Sequence, residues 1–464
     1  MDNFLSMGRL DTVEAWAHDV AQSQATHEST LKPQKHEEDG ISEECLSILD
    51  SISLSNIYQS YTYDDEERAD GWDYSTCTSS QSSRVTRYKS PITSARDLDK
   101  LQKPVRFTIQ NLPDLAHTLS SVSEGSLGLY ERVKNITLRS EGILPLQLRD
   151  ILSSELHLDE GDDSKFATRI RPAISSVTRS DQRNSKQRLN AERRRQLIVW
   201  DPDRAGSQED PAAADERFLK LEILLELETL QEIEARTNDF YYTVRSEDAW
   251  NEAIHGRMLK LALGGHPDVT VQNITRAEIE NPFQPLLRPE LELGQHAVTT
   301  SINYALLLEP DYQDPLYYSI RDFVSEQRYD EFNQTSYAPL RFAPSGVFIE
   351  TKVRIKSYPE AQARLGIWLA AWFNRVNEFC CTTTDLVVPV LVVTAGDWEL
   401  WFAVDRGEYF DVCGPMPIGG TGELRELYKL RACLGCLGDW MTTDFRRWVE
   451  NCVRRDESSE YGYD

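Results

Sequence analysis

The chain has 464 residues, of which 40% are hydrophobic and ten are Trp, so it can bury at least one sizeable core. Its formal net charge of -26 excludes a protein that holds nucleic acid by overall positive charge, since such proteins carry broad basic surfaces. Any contact with phosphate therefore needs a local basic patch, and the alternative is that the chain binds other proteins.

No segment of the sequence predicts export or membrane insertion. The first twenty residues lack the basic start and apolar run of a secretory signal. The most apolar stretch, residues 386–395, is too short to cross a bilayer. Eight cysteines are ordinary for a reducing compartment. We expect an intracellular protein, nuclear or cytoplasmic, with no membrane partner.

Residues 1–155 are predicted to form two regions. Residues 1–100 are rich in Ser, Thr, Asp, Glu and Gln without an apolar period, which indicates a disordered tail. Residues 101–155 are predicted to be a helical prelude that packs on the main domain. That prediction rests on four apolar residues at helical spacing: Leu112, Leu115, Leu119 and Val122.

Residues 156–215 are predicted to be a flexible linker with a basic segment. Residues 165–195 carry ten Lys or Arg against Asp181 and Glu192, a net charge of +8. This segment suits a nuclear-import signal, an arm that grips phosphates, or a solvated linker without a partner. The sequence leaves these three interpretations open.

The compact domain is predicted to span residues 216–455, followed by an acidic tail at 456–464. Apolar periodicity predicts helices at 218–236, 246–263, 316–328, 359–379 and 422–453. It predicts strands at 269–275, 299–308, 346–355, 386–394, 398–404 and 409–412. Helices and strands share one domain, which indicates a mixed α/β architecture.

The candidate chemistry centres on the sequence Phe-Ile-Glu-Thr-Lys-Val. Side chains alternate along a strand, so Glu350 and Lys352 point to the same face. In metal-dependent phosphodiester hydrolysis a carboxylate holds a divalent cation, and a lysine orients or deprotonates the attacking water. Glu-x-Lys alone is more often a salt bridge on a strand, so its neighbours in the sequence must decide.

Those neighbours follow a recognisable order. Ser246 is a natural N-cap for the helix 246–263, and Glu247 lies in its first turn, where the helix dipole also favours an acid for structural reasons. A strand at 301–310 stands where a first metal-binding acid is expected. An amphipathic helix with Leu-Gly-Ile-Trp follows Glu-Thr-Lys.

This order resembles the fungal PD-(D/E)xK nuclease-like family over residues 219–453. The family pattern is Ser-Glu-x-x-Trp-Asn-x-x-x-His on a helix, Asp-Tyr and Glu-Thr-Lys on strands, and Gln-Leu-Gly-x-Trp on a helix. The resemblance implies a restriction-endonuclease-like mixed central sheet flanked by helices. It implies that Glu247 and Glu350 are metal ligands and that Lys352 is the catalytic lysine.

Two positions depart from that pattern. Asn303 stands where the family has Asp, and Arg364 stands where it has Gln. An amide offers oxygen without charge, and losing one charge forfeits at most about 4 kcal/mol at an effective dielectric near 20, roughly three decades of affinity. If the site is active, it uses Mg²⁺ or Mn²⁺ held by Glu247, Asn303 and Glu350, with Arg364 facing the substrate phosphate. Otherwise the chain is a binding module, for nucleic acid or protein, on a retired nuclease scaffold.

Two other signals are interpreted as structural. Cys433 and Cys436 have the spacing of half a zinc site, but no second half accompanies them, so we predict buried thiols. His255 shares a helical face with Glu247 and fits a hydrogen-bonded structural histidine better than a catalytic one.

Overall fold

The computed structural model describes residues 92–158, 162–167, 211–291, 300–380 and 386–454. The predicted disordered tail, the basic segment beyond residue 167 and the acidic tail lie outside the described residues, apart from residues 92–100. Those nine belong to the folded unit, because they include a 3-10 helix at Ala95–Lys100 and a fully buried Leu98.

A seven-stranded mixed sheet lies at the centre. Its strands are β1 Val105–Ile109, β4 Val269–Asn273, β5 Tyr304–Leu308, β6 Ser345–Lys352, β7 Val387–Thr394, β8 Asp397–Asp405 and β9 Phe410–Gly420. Their order across the sheet is β1-β9-β8-β7-β6-β5-β4. Two short parallel strands, β2 Leu144–Pro145 and β3 Phe166–Ala167, form a separate ribbon.

Strand β6 lies between β5 and β7 in the sheet. It runs antiparallel to β5 and parallel to β7, and all eight of its residues are buried. A strand covered on both faces reads as a continuous apolar run, so the two charged residues at its end stand out.

Helices cover both faces of this sheet. They are α1 Leu112–Ser120, α2 Glu124–Arg139, α3 Arg149–Glu155, α4 Pro211–Tyr242, α5 from Glu247 to Leu263, α6 Pro315–Glu326, α7 Tyr358–Val376 and α8 from Leu424 to Val453. Helix α7 packs on β6 through Trp372, whose ring meets Phe348 edge to face. Helix α5 reaches the other face of β6, where its Asn251 contacts Thr351. The predicted α/β architecture is confirmed.

Both α5 and α8 contain one wider π-helical stretch. In α5 the segments are Glu247–Trp250, the π-helical Asn251–His255 and Gly256–Leu263. In α8 they are Leu424–Trp440, the π-helical Met441–Phe445 and Arg446–Val453. No helix in the described ranges is long and apolar enough to span a membrane.

The segment 101–155 differs from the predicted helical prelude. It supplies three helices, but residues 105–109 form β1, which pairs in parallel with β9 from Val105↔Phe410 to Ile109↔Gly414. The segment therefore extends the central sheet in addition to covering it. The reason is that Val105 and Phe107 alternate with polar residues, a period-2 pattern that the neighbouring helical spacing obscured.

Candidate functional site

The charged pair at the end of β6 faces one side of the sheet, as the alternation predicts. Nζ of Lys352 lies 2.7 Å from Oε1 of Glu350. The Glu350 side chain is fully buried and that of Lys352 is 5% exposed. A buried ion pair has strong Coulomb attraction but has lost its water, so further partners are needed to hold it.

The first of those partners comes from the start of α5. The Ser246 hydroxyl accepts a hydrogen bond from the backbone N–H of Ala249, so the predicted N-cap is confirmed. This cap holds Glu247 in the first turn, where its Oε2 lies 3.1 Å from Nζ of Lys352. The ammonium of Lys352 thus bridges two carboxylates from different elements.

Asn303 lies immediately before β5 and is hydrogen-bonded at both ends of its amide. Its Nδ2 donates to Oε1 of Glu247 at 3.0 Å. Its Oδ1 accepts from the backbone N–H of Thr351 at 2.9 Å. The amide therefore turns its nitrogen toward the nearest carboxylate and its oxygen toward the strand.

Arg364 approaches the pair from α7. Its Nε lies 3.8 Å from Oε1 of Glu350, while its terminal nitrogen contacts Glu360 at 2.9 Å. The side chain is 38% exposed, so it joins the buried pair to solvent. We call Glu247, Asn303, Glu350, Lys352 and Arg364 the Glu-Lys cluster. These five residues lie at one end of the sheet; their roles stay predictions.

Burial dominates the electrostatics of Glu350. Loss of hydration raises the pKa of Glu350 to about 7, although Lys352 and Arg364 oppose that rise. Oε2 of Glu350 is buried and has no hydrogen-bond partner among the described residues. One carboxylate oxygen is thus held by lysine and the other is left for a proton or a ligand.

The π-helical stretch of α5 gives the cluster its outer support. The backbone oxygen of Asn251 accepts from the N–H of Gly256, five residues on, and from the hydroxyl of Tyr304 at 2.8 Å. Single π turns inside α-helices are frequent at functional sites. Here the turn ties α5 to the first residue of β5, next to Asn303.

His255 fixes a second connection across the sheet. Its Nε2 lies 2.7 Å from the backbone oxygen of Ala395, and its Nδ1 lies 2.9 Å from the Asn251 side-chain amide. Burial lowers the pKa of His255 to about 4, so the ring is neutral and carries one N–H. That N–H donates to Ala395, which leaves Nδ1 as an acceptor.

A neutral ring requires a donor opposite Nδ1. The amide of Asn251 satisfies this when its nitrogen faces His255, an orientation obtained by exchanging the amide nitrogen and oxygen. The exchange engages Nδ2, and Oδ1 then takes the position that has no hydrogen-bond partner among the described residues. The Thr351 hydroxyl, 2.7 Å from the amide, then accepts. His255 is thus hydrogen-bonded on both sides, as a structural histidine would be.

Sequence reasoning missed three contributors to this arrangement. Strand alternation puts Thr351 on the face opposite Glu350 and Lys352, and there its N–H fixes Asn303 and its hydroxyl meets Asn251. Tyr304 was read only as part of a motif. The Asn251 to His255 spacing of four residues could have indicated a helical polar pair, whereas the Ala395 carbonyl carries no side-chain signal at all.

The two cysteines that resemble half a zinc site are buried in α8. Burial raises the pKa of Cys436 to about 11 and raises that of Cys433 as well, so both are protonated thiols at neutral pH. Across the described ranges, no group of three or more His, Cys, Asp or Glu residues could hold a metal ion. The interpretation as buried thiols agrees with these observations.

The cluster does not fit a tightly held divalent cation. Two carboxylates face its centre, and the ammonium of Lys352 already lies between them. The only amide in the cluster, Asn303, directs its nitrogen at Glu247, so its oxygen is not turned to a shared ligand position. Arg364, which also pairs with Glu360, brings a second positive charge close to Glu350, so Lys352 and Arg364 together oppose the binding of a cation.

Comparison with known proteins identifies a family. The family model of the PD-(D/E)XK nuclease superfamily matches residues 192–446, more than half of the chain. The match includes every residue of the Glu-Lys cluster. No curated protein and no solved structure matches the chain.

Proposed function

Because the chain belongs to the PD-(D/E)XK nuclease superfamily, we propose that it is a nuclease-fold protein with a degenerate site, whose hydrolytic activity is weak or lost. The observation that carries this proposal is the hydrogen bond from Nδ2 of Asn303 to Oε1 of Glu247. An aspartate at position 303 would place a third negative charge there. The amide instead provides a donor that satisfies Glu247.

The role that remains for such a scaffold is binding. Arg354 and Lys356 follow Lys352 in the chain within four positions and are exposed, and the side chain of Arg364 is 38% exposed. These three cations could supply the local basic patch that phosphate contact requires on a chain of net negative charge. We therefore propose nucleic acid as the binding partner, with an acidic protein surface as the alternative. Binding that weakens steeply with salt and is shared by unrelated sequences supports the first.

The test of lost metal dependence is the substitution Asn303→Asp. We expect the unaltered protein to show no Mg²⁺- or Mn²⁺-dependent cleavage of plasmid or single strands, and a melting temperature indifferent to either ion. Asn303→Asp should melt lower in chelator, because the bond to Glu247 becomes a repulsion. Its melting temperature should then rise with Mg²⁺, reflecting up to roughly three decades of gained affinity.

The matched control is Asn135→Asp, the same chemical change on the exposed surface of α2. It should gain no response to Mg²⁺. Metal-dependent cleavage by the unaltered chain that disappears in Lys352→Ala would overturn the proposal.

The second candidate function is a residual metal-dependent nuclease, which metal-dependent cleavage by the unaltered chain would support. One observation favours it: Oε2 of Glu350 has no hydrogen-bond partner within the described ranges, so one buried acceptor is free for a ligand. Calorimetric titration with Mn²⁺ separates the two candidates, because a residual site would bind the ion and Glu350→Gln would remove that binding.

A further inference from the structure

A pair of cysteines lies where α7 and α8 both end. Cys380 follows the last turn of α7, and its N–H donates to the carbonyl of Val376 at 2.9 Å. Cys452 lies in the last turn of α8. Their Sγ atoms are 2.6 Å apart, although 72 positions separate them in the chain. Two non-bonded sulfur atoms do not rest this close together, and a disulfide bond is only about 0.6 Å shorter.

The other described cysteines lie in a different environment. Burial raises the pKa of Cys436 to about 11, and it also raises those of Cys413 and Cys433. Thiolate is the reactive form of cysteine, so these three thiols are inert at neutral pH. Cys452 is partly exposed and can be reached by a small oxidant, while Cys380 behind it is 7% exposed.

We infer that Cys380 and Cys452 form a reversible disulfide that fastens the last helix to the end of α7. A low-molecular-weight disulfide such as oxidised glutathione supplies the oxidising equivalents. The Cys452 thiolate attacks it, forming a mixed disulfide and releasing one reduced glutathione. The Cys380 thiolate then attacks the Cys452 sulfur and releases the second, so two protein thiols are oxidised while one glutathione disulfide is reduced.

The bond would close a long loop of the chain that lies after the Glu-Lys cluster. The chain between the two cysteines includes β7, β8 and β9 and nearly all of α8. Closing so long a segment restricts the unfolded chain strongly, so the oxidised form is expected to be the more stable one. In the reduced form the C-terminal helix is held by packing and by the ion pair between Arg446 and Asp314. This inference does not depend on the proposed function.

The experiment compares the full chain after treatment with oxidised glutathione and with dithiothreitol. Oxidation should remove two hydrogen masses from the intact protein and raise the melting temperature by several degrees, and dithiothreitol should reverse both. Tandem mass spectrometry of the non-reduced digest should place the link between Cys380 and Cys452.

The neighbouring Cys381 provides the matched control. Cys381→Ser should keep both the mass loss and the thermal shift, whereas Cys380→Ser and Cys452→Ser should lose both. Glutathione adducts without an internal link, or a link through Cys381, would overturn the inference. The digest of the unaltered protein decides the question even if a serine variant fails to fold.

Discussion

Burial of Glu350 at the end of β6 determines the protonation state of its carboxyl group. Its pKa is raised from 4.5 to about 7 in the folded protein, chiefly by burial. The folded state therefore binds a proton more tightly than the unfolded state does. It follows that stability rises as pH falls from about 7 towards 4.5, the reverse of an exposed, salt-bridged acid.

The prediction compares the unaltered chain with Glu350→Gln. Between about pH 8 and about pH 5.5, the free energy of unfolding of the unaltered chain should rise relative to the variant by about 2 kcal/mol, because each pKa unit corresponds to about 1.4 kcal/mol. Urea unfolding at the two pH values measures it. The control Glu228→Gln, on the exposed surface of α4, should follow the unaltered chain. If the free energy of unfolding changes with pH equally in the unaltered chain and in Glu350→Gln, burial does not raise the pKa of Glu350.

At this scale the sequence predicted which side chains meet but not how they bond. Strand alternation placed Glu350 beside Lys352, and the family resemblance assigned Glu247 to the same site. The orientation of the Asn303 amide was out of reach. An amide is a donor at one end and an acceptor at the other, and the choice depends on the Thr351 N–H and on Glu247, which come from distant segments.

The elements that carry these residues are held by a close approach of α5 to β5. A Cβ added at Gly256 would lie 2.9 Å from the backbone oxygen of Asn251 and 3.1 Å from the hydroxyl of Tyr304. Backbone cannot move aside as a flexible side chain can. Glycine at this position is therefore a steric requirement of the π turn.

Two Gly→Ala substitutions test this requirement. Gly256→Ala should destabilise the protein by about 1–3 kcal/mol, since overpacking against backbone outweighs the gain in helix propensity. Gly435→Ala in α8, where an added Cβ meets nothing within 4 Å, should instead stabilise it by up to about 1 kcal/mol. Chemical denaturation measures both. If both variants gain stability alike, the π turn tolerates a side chain.

The sequence predicted most elements but not their irregular parts. In the π turn the backbone oxygen of Asn251 accepts a hydrogen bond from the hydroxyl of Tyr304, which belongs to β5. Because that partner is distant in the chain, the local periodicity of α5 cannot predict the turn. Strand β9 was predicted to end at 412 because glycine and proline follow, yet it runs to Gly420. Its partner β1 stops at the Ile109↔Gly414 pair, so Pro415 and Pro417 lie where β9 has a single neighbour, β8, and their missing N–H groups are tolerated.

For the whole molecule, the extent of the folded unit was the least predictable feature. The main domain was predicted to start at residue 216, with residues 101–155 as a helical prelude that packs on it. In the structure, β1 is the edge strand beside β9 and α2 packs on α8, so residues far upstream complete the sheet and its covering layer. Contacts between segments this far apart in the sequence cannot be predicted from local patterns. A helix or strand has the same amphipathic pattern whichever surface it packs against.

Truncation measures how far the unit extends. A chain of residues 87–464 should keep the melting temperature of the full protein, because it retains every described element. A chain of residues 211–464 should lose cooperative unfolding, since it lacks the core residues Val105, Leu115, Leu119, Leu129, Tyr130 and Val133. Burying each such side chain contributes about 1.5–3 kcal/mol, and six of them together rival the whole net stability of a domain, about 5–15 kcal/mol.

Differential scanning calorimetry distinguishes the outcomes of the two truncations. We expect one cooperative transition for 87–464 and a broad, low-enthalpy transition for 211–464. The family match begins at residue 192, so a shorter chain that melted like the longer one would make residues 92–158 an accessory layer. Loss of cooperativity would instead show that the nuclease-like fold of this protein needs β1, α1 and α2 to form at all, because β9 would otherwise expose its edge and α8 its apolar face.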